Sequence, residues 1–449
     1  MSQYALLTPE YLVLAGVLWA MFAELLPGRD RGAALVGALL SIAAAVFAAL
    51  TPLGSEAFGG LVVFDASARF IRVASAALLA IWLLWMSTTA ADRIRDAAVL
   101  AGLSTMGAML LGSSTDLIMI VVSLELSTMP AYALIGQRRQ KVKSLEGALK
   151  FFLLSMLTTL VTLYGMSFLY GISGSTRLAE LSMDGAGTLG VFAALFTMVG
   201  VLAKLSAAPF HYWAPDAYAG AEARAVAFVS VVPKLGGAVI LVRLIEALAP
   251  TTPGLGWVIA IAAAASMLLG NLAALQQDDI RRLMAYSGVS HAGFLMLGAA
   301  ALTPMGYRAA IFYAVAYALP SMGIMLVVDH TGPRMDDVAG LSKRSPVLAW
   351  SSVLMLVSLI GIPPLIGFFG KLYLFIPALE AGLVAFVVIG VAMSAMSAFY
   401  YFRIIKAMFF TEATTDEPIA TFPAAVVAAI AAATLGLGLA GGWLLATLG

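Results

Sequence analysis

The chain has 449 residues, 62% of them hydrophobic and only 11% charged, with a mean hydropathy of +0.99. Soluble globular chains carry about 25% charged residues, so the composition excludes a soluble domain and points to a polytopic membrane protein. A formal net charge of +1 offers nothing to nucleic acid, and the absence of cysteine excludes disulfides and thiolate-bound iron–sulfur clusters.

An all-α chain of about 14 transmembrane helices accounts for the apolar runs. Hydropathy places them at 9–27, 32–52, 70–90, 96–113, 115–136, 145–170, 189–218, 224–248, 257–276, 283–299, 308–329, 346–378, 380–407 and 421–446. The seventh and twelfth are broken by proline. The first run lacks a basic leader, so no cleavable signal is expected. Loop charge sets the orientation. Arg29, Arg31, Arg93, Arg95, Arg138, Arg139, Lys141, Lys143, Arg224, Arg281, Arg282, Arg334, Lys343, Arg344, Arg403 and Lys406 fall on one side. Arg69, Arg72, Arg177, Arg243 and Arg308 fall on the other. The richer side is inside, which puts both termini outside. Glu24 is read as interfacial. The chain divides into an N-terminal three-helix segment (1–95), two repeats (96–250 and 251–410) and a C-terminal helix (411–449).

Ionisable residues inside these spans mark function by default. Glu125, in SLELSTMPAYALIG, lies about ten residues into the fifth span, roughly 15 Å deep. Lys204 precedes the break at Pro209, which is followed by Phe210, His211, Tyr212, Trp213, Pro215 and Asp216. His211 and Asp216 either hydrate a path inward or cap broken backbone. Lys234, in VVPKLGG, is again about ten residues into its span, with Pro233, Gly236 and Gly237 loosening the helix. A lysine so placed can trade a proton as its partner moves. Lys371 lies just beyond the Gly361-Ile362-Pro363-Pro364 break and repeats the lysine-and-break arrangement of the seventh span. Matching interrupted helices point to a transport site. Their five-span offset predicts two inverted repeats, spans 4–8 and 9–13. His291, near the middle of the tenth span, falls at the repeat position of Glu125 and is either a proton relay or a packing residue. Lys150 follows Glu146 at i+4 and is either a relay member or a snorkelling, paired lysine.

Together these stretches resemble a known family, the antiporter-like membrane subunits of respiratory complex I. The resemblance rests on SLELSTMPAYAL, EGALKFFLLS, AKLSAAPFHYWAPDAYAG, SVVPKLGG, RRLMAYSGVSHAGFLMLG and GIPPLIGFFGKLYLF, which run in the family's order from the fifth span to the twelfth. Tyr218, Gly220, the lysine at 371 and the chain length are most similar to the N-type of its three homologous subunits. One departure is the family's Ala-Pro-Thr-Pro turn, which reads Ala221-Glu222-Ala223-Arg224 here.

The resemblance implies a proton translocase subunit of the bacterial plasma (inner) membrane. Glu125 and Lys204 would form an ion pair, Lys234 the central relay, His291 its continuation and Lys371 the outlet. Lys150 matches a family lysine. Opening of the Glu125–Lys204 pair would drive the Lys204 proton toward Lys234, His291 and Lys371. No cofactor is expected on this chain; NADH, FMN, iron–sulfur clusters and quinone would belong to partner subunits. Those partners would include a second antiporter-like subunit and small membrane subunits. A stand-alone multisubunit cation/proton antiporter shares these motifs and is the alternative reading.

Overall fold

The computed structural model describes residues 3–23, 30–89, 93–138, 140–412 and 421–448; Glu24, Arg29 and Arg139 lie outside them. Among the described residues twelve helices are long and apolar enough to cross a membrane, and two shorter apolar helices, Pro346–Ile360 and Pro423–Leu439, accompany them. The helices are α1 (Thr8–Phe22), α2 (Asp30–Leu50), α3 (Ala66–Thr88), α4 (Ile94–Ser113), α5 (Leu117–Ile135), α6 (Val142–Ser173), α7 (Gly187–Lys204), α8 (Trp213–Gly220), α9 (Ala223–Val229) and α10 (Val232–Leu248). They continue as α11 (Leu255–Ala274), α12 (Ile280–Ala300), α13 (Pro304–Thr331), α14 (Leu341–Arg344), α15 (Pro346–Ile360), α16 (Ile366–Glu380), α17 (Val384–Phe410), α18 (Thr421–Leu439) and α19 (Gly441–Ala446).

Burial sorts these helices by position. The apolar windows of α9–α10, α12 and α13 are 100%, 94% and 94% buried, while those of α1, α2, α6 and α17 are at most 39% buried. Helices apolar all round therefore form a centre, and the rest present one side outward. Small residues allow the close approach that helix packing in lipid requires. At Gly165 a Cβ would strike the Thr197 backbone, so α6 and α7 meet there only because no side chain intervenes.

Among the described residues, three helix breaks lie beside a buried lysine, one more than the sequence suggested. α7 stops at Lys204, and eight residues pass before α8 begins. α15 ends at Gly361, whose φ of 91° suits a glycine C-cap. The unexpected break falls at Ser230–Val231, between α9 and α10. Pro233 then occupies the first turn of α10, where its missing N–H costs nothing. Lys234 is thus not ten residues into a continuous helix but in the first turn of a new one.

Other differences concern the ends. The loop before α3 holds a short hairpin, Ser55–Ala57 paired antiparallel with Val62–Phe64, so the fold is not purely helical. Arg72, counted with the outer-side charges at the start of the third span, is fully buried in α3. Its guanidinium donates to Glu10 Oε1 and Oε2 at 2.8 and 2.7 Å and to the Leu6 carbonyl at 2.8 Å. Arg243 likewise lies in α10 and donates to Asp65, Gly112 O and Ser114 O. Both arginines bring their counter-charge into the helix ends, and loop counting cannot see that.

Two helix starts are built alike. Asp116 caps α5 by accepting from Ile118 N and Met119 N, and it bridges to Arg177 beyond α6. Asp279 caps α12 by accepting from Arg281 N and Arg282 N, and it bridges to Arg334 beyond α13. Leu117 N donates to Thr176 O at 2.8 Å, and Ile280 N to Pro333 O at 2.7 Å. The first pair lies at the end of the molecule that holds Arg243 and the hairpin; the second lies at the opposite end, among Arg138, Lys141 and Arg224.

Candidate functional site

Each of these three breaks presents one lysine to the interior. Lys204, Lys234 and Lys371 are 7%, 7% and 4% exposed. A buried ammonium needs partners for its three donors, and the three lysines differ in what they find.

Lys204 closes α7, the end where the helix dipole favours a cation. Its Nζ donates to Ser155 Oγ at 2.9 Å and to Tyr132 OH at 3.4 Å. Among the described residues it makes no ion pair with Glu125. The Glu125 carboxylate instead accepts from Thr159 Oγ1 at 2.7 Å, and its second oxygen is buried without a partner. Ser155 and Thr159 stand one turn apart on α6. The expected direct pair is therefore not made; each partner instead meets its own hydroxyl on α6. A contact pair at 4 Å would be worth about 4 kcal/mol at an effective dielectric of 20; the longer tie is weaker and opens at less cost.

Lys371 is the best-satisfied of the three. Its Nζ donates to Leu359 O at 3.0 Å, Ile360 O at 2.8 Å and Ser394 Oγ at 2.8 Å. Those carbonyls are the orphan acceptors that the end of α15 leaves behind. Nζ also lies 4.7 Å from the Phe294 ring centroid. The break of the twelfth span and the lysine after it thus form one device.

Lys234 has the reverse setting. It stands in the first turn of α10, at the positive end of the helix dipole. Its Nζ is buried with no hydrogen-bond partner, and the Tyr317 ring centroid is 6.0 Å away. A cavity of about 20 Å³ adjoins it, lined by Leu205, Val231, Gly288, His291, Tyr313 and Tyr317 among others. One water needs roughly 10–15 Å³ by the same measure, so the cavity has room for one. Gly288 makes the room: a Cβ there would lie 2.8 Å from Tyr317 OH and 3.3 Å from Lys234 Nζ.

His291, on the unbroken α12, borders the same cavity. Its Nδ1 is 2.6 Å from Tyr313 OH, and its Nε2 is 3.3 Å from Tyr401 OH, which reaches Ser287 Oγ at 2.5 Å. A ring with hydroxyls at both nitrogens can take a proton at one and release it at the other. The sequence reading missed these hydroxyls. Their one signal is the recurrence of Ser, Thr and Tyr inside apolar spans, as at Ser155, Thr159, Tyr313, Tyr317, Ser394 and Tyr401.

Two candidates lie apart from this line. Lys150 is half-exposed and pairs with Glu146 at 2.7 Å and with Asp216 at 2.8 Å; Asp216 also reaches Arg282 at 3.3 Å. These groups edge a polar cleft of about 380 Å³. His211 is buried in the break after α7 with its Nδ1 unpartnered, its ring tilted against that of Tyr212. The departing turn at 221–224 is tied by charge where prolines were expected. Glu222 pairs with Arg138 and, at 2.6 Å, with Arg224, while Arg281 donates to Ala221 O. Burial works to raise the Glu222 carboxyl, but the two guanidiniums outweigh it and hold the group below its ordinary range.

A family model described as NADH:quinone oxidoreductase/Mrp antiporter, transmembrane, matches residues 114–397. A curated relative from Parvibaculum lavamentivorans, NADH-quinone oxidoreductase subunit N, is 36% identical over 431 residues, covering 90% of this chain and 87% of the relative. The subunit N of Rhodospirillum rubrum is 37% identical over 402 residues, covering 86% and 82%. Among solved structures, one chain of respiratory complex I from Thermus thermophilus with bound aureothin aligns with a TM-score of 0.85 at 30% identity, covering 98% of this chain and 99% of that one. The Mrp complex from Dietzia sp. DQ12-45-1b aligns with a TM-score of 0.87 at 22% identity, covering 98% and 96%, a likeness of fold alone.

Proposed function

The chain belongs to the membrane-subunit family shared by NADH:quinone oxidoreductases and Mrp antiporters, and on that footing we propose how its buried charges divide the work of moving protons. It is a subunit-N-type component of the respiratory translocase, the type its relatives represent at about 35% identity over most of the chain.

The observation that carries the mechanism is the contrast between the lysines. Lys204 and Lys371 place their ammonium groups at helix C-termini, with hydroxyl or carbonyl acceptors. Lys234, at a helix N-terminus and without a partner, is a poor place for a charge to rest. A proton leaving Lys204 passes over Lys234, crosses the one-water cavity to His291, and settles at Lys371. Glu125 sets the occupancy of Lys204 through the α6 hydroxyls. Redox energy from quinone reduction on other subunits drives the change at Glu125. Lys150 and His211 serve the approach to the line, Lys150 from the polar cleft with Asp216.

The matching caps at Asp116 and Asp279, at opposite ends of the molecule, support two inverted repeats at 96–250 and 251–410. With the two shorter apolar helices counted, the spans number fourteen, and both termini face the periplasm of a bacterial inner membrane. The neighbours are a second antiporter-like subunit and small membrane subunits. NADH, FMN, iron–sulfur clusters and quinone are held by other chains.

The test is Lys234→Ala in the assembled complex. Assembly stays intact and coupled turnover is abolished; normal proton pumping in that variant would sink the reading.

A further inference from the structure

A second cavity lies away from the lysines, between α3, α13 and the α18–α19 end of the chain. Its volume is about 470 Å³ and its walls are apolar, among them Phe70, Val73, Leu78, Ile81, Phe312 and Leu437. Along α3 it extends from Ala66 to Ile81, about 22 Å at 1.5 Å per residue. Over that length a helix with side chains, about 10–12 Å across, would occupy on the order of 2,000 Å³, well beyond the space here. A partner helix does not fit; an extended hydrocarbon chain does.

The slot has one polar end. Arg69, in the first turn of α3, lines it there and is half-buried. Its guanidinium makes no hydrogen bond or ion pair with any described residue, unlike Arg72 one turn on, which Glu10 and Leu6 satisfy. Trp443, 69% exposed, and Thr447 stand at the same end. A tryptophan and an unanswered cation above an apolar slot mark a membrane–water boundary.

We propose that this slot holds one acyl chain of a membrane phospholipid, with the lipid phosphate on Arg69. The fit is of charge as well as volume, since a guanidinium pairs with phosphate through two parallel hydrogen bonds. Bound lipid bridges α3 to α13 and α18–α19, joining the N-terminal helices to the last ones.

The experiment uses the intact complex in nanodiscs doped with a phospholipid that carries a diazirine on its acyl chain. After irradiation, adducts are mapped by peptide mass spectrometry. They concentrate on residues 70–81 and 437–444. Ala77→Phe, which fills the slot, lowers them about tenfold. Arg69→Gln lowers them by a similar factor, the scale of one charge-assisted hydrogen bond, and Arg69→Lys restores them in part. Adducts spread evenly over the exposed apolar helices and unmoved by either substitution would mean annular lipid only and overturn the proposal. So would competition by a quinone that excess phospholipid does not relieve.

Discussion

Gly288→Ala is the sharpest perturbation of the relay, because it adds one methyl group and removes no charge. The new Cβ would stand 2.8 Å from Tyr317 OH and 3.3 Å from Lys234 Nζ. Over-packing of that kind costs about 1–3 kcal/mol, which a body with three nearly all-buried central helices absorbs without losing its fold. The cavity fares differently. It is about 20 Å³, and a water needs roughly 10–15 Å³, so the methyl takes the room a water would occupy between Lys234 and His291. Losing a positioned proton carrier costs on the order of 10²-fold in rate. Coupled proton uptake by proteoliposomes, measured against quinone reduction in complex of normal subunit content, falls on that scale. Gly288→Ser adds the same Cβ with an oxygen that can stand in for the water, and it retains more pumping. Equal pumping in Gly288→Ala and wild type would refute the reasoning. Equal defects in the alanine and serine variants would reduce Gly288 to packing.

Other outcomes follow from the same geometry. Ser155→Ala and Glu125→Gln, combined in a double-mutant cycle on pumping rate, couple by about 0.5–3 kcal/mol, as expected of members of one network; strict additivity would show that Glu125 and Lys204 act independently. Arg72→Met strands Glu10 in a buried site, a loss of about 3–5 kcal/mol, read as a lower melting temperature with proton pumping unchanged in the protein that remains folded. The Glu222 carboxyl lies below its unfolded value when folded. Its contribution to stability is therefore complete at neutral pH and disappears as pH falls below about 4.3 and on through the folded value. Thermal melts of wild type and Glu222→Gln separate at pH 7 and converge on acidification; a gap that widens in acid would reverse the sign and the argument.

The buried lysines, Glu125, His291 and two of the three breaks were legible because charge and proline are conspicuous in an apolar chain. The third break was not. Pro233 is as much at home in a first turn as in a kink, and only the backbone at Ser230–Val231 distinguishes the two. The Glu125–Lys204 contact failed for another reason. Complementary charges predict attraction, but which helix stands between them is a matter of packing, and there Ser155 and Thr159 intervene. Arg72 and Arg243 misled because a span end in hydropathy is not a surface when a counter-charge is folded in with it. The tyrosine and serine hydroxyls around His291 and Lys371 were invisible as a set, since each alone is an ordinary residue in a membrane helix.

The placing of Lys234 at the start of α10 makes the middle of the chain a watershed. On the proposed reading, a charge that reaches it is pushed by the helix end and held by nothing, so it runs down to whichever side has the vacant basin. The ridge carries no preference of its own. Direction is imposed from its two flanks, and the same residues would carry current the other way if the driving force were reversed.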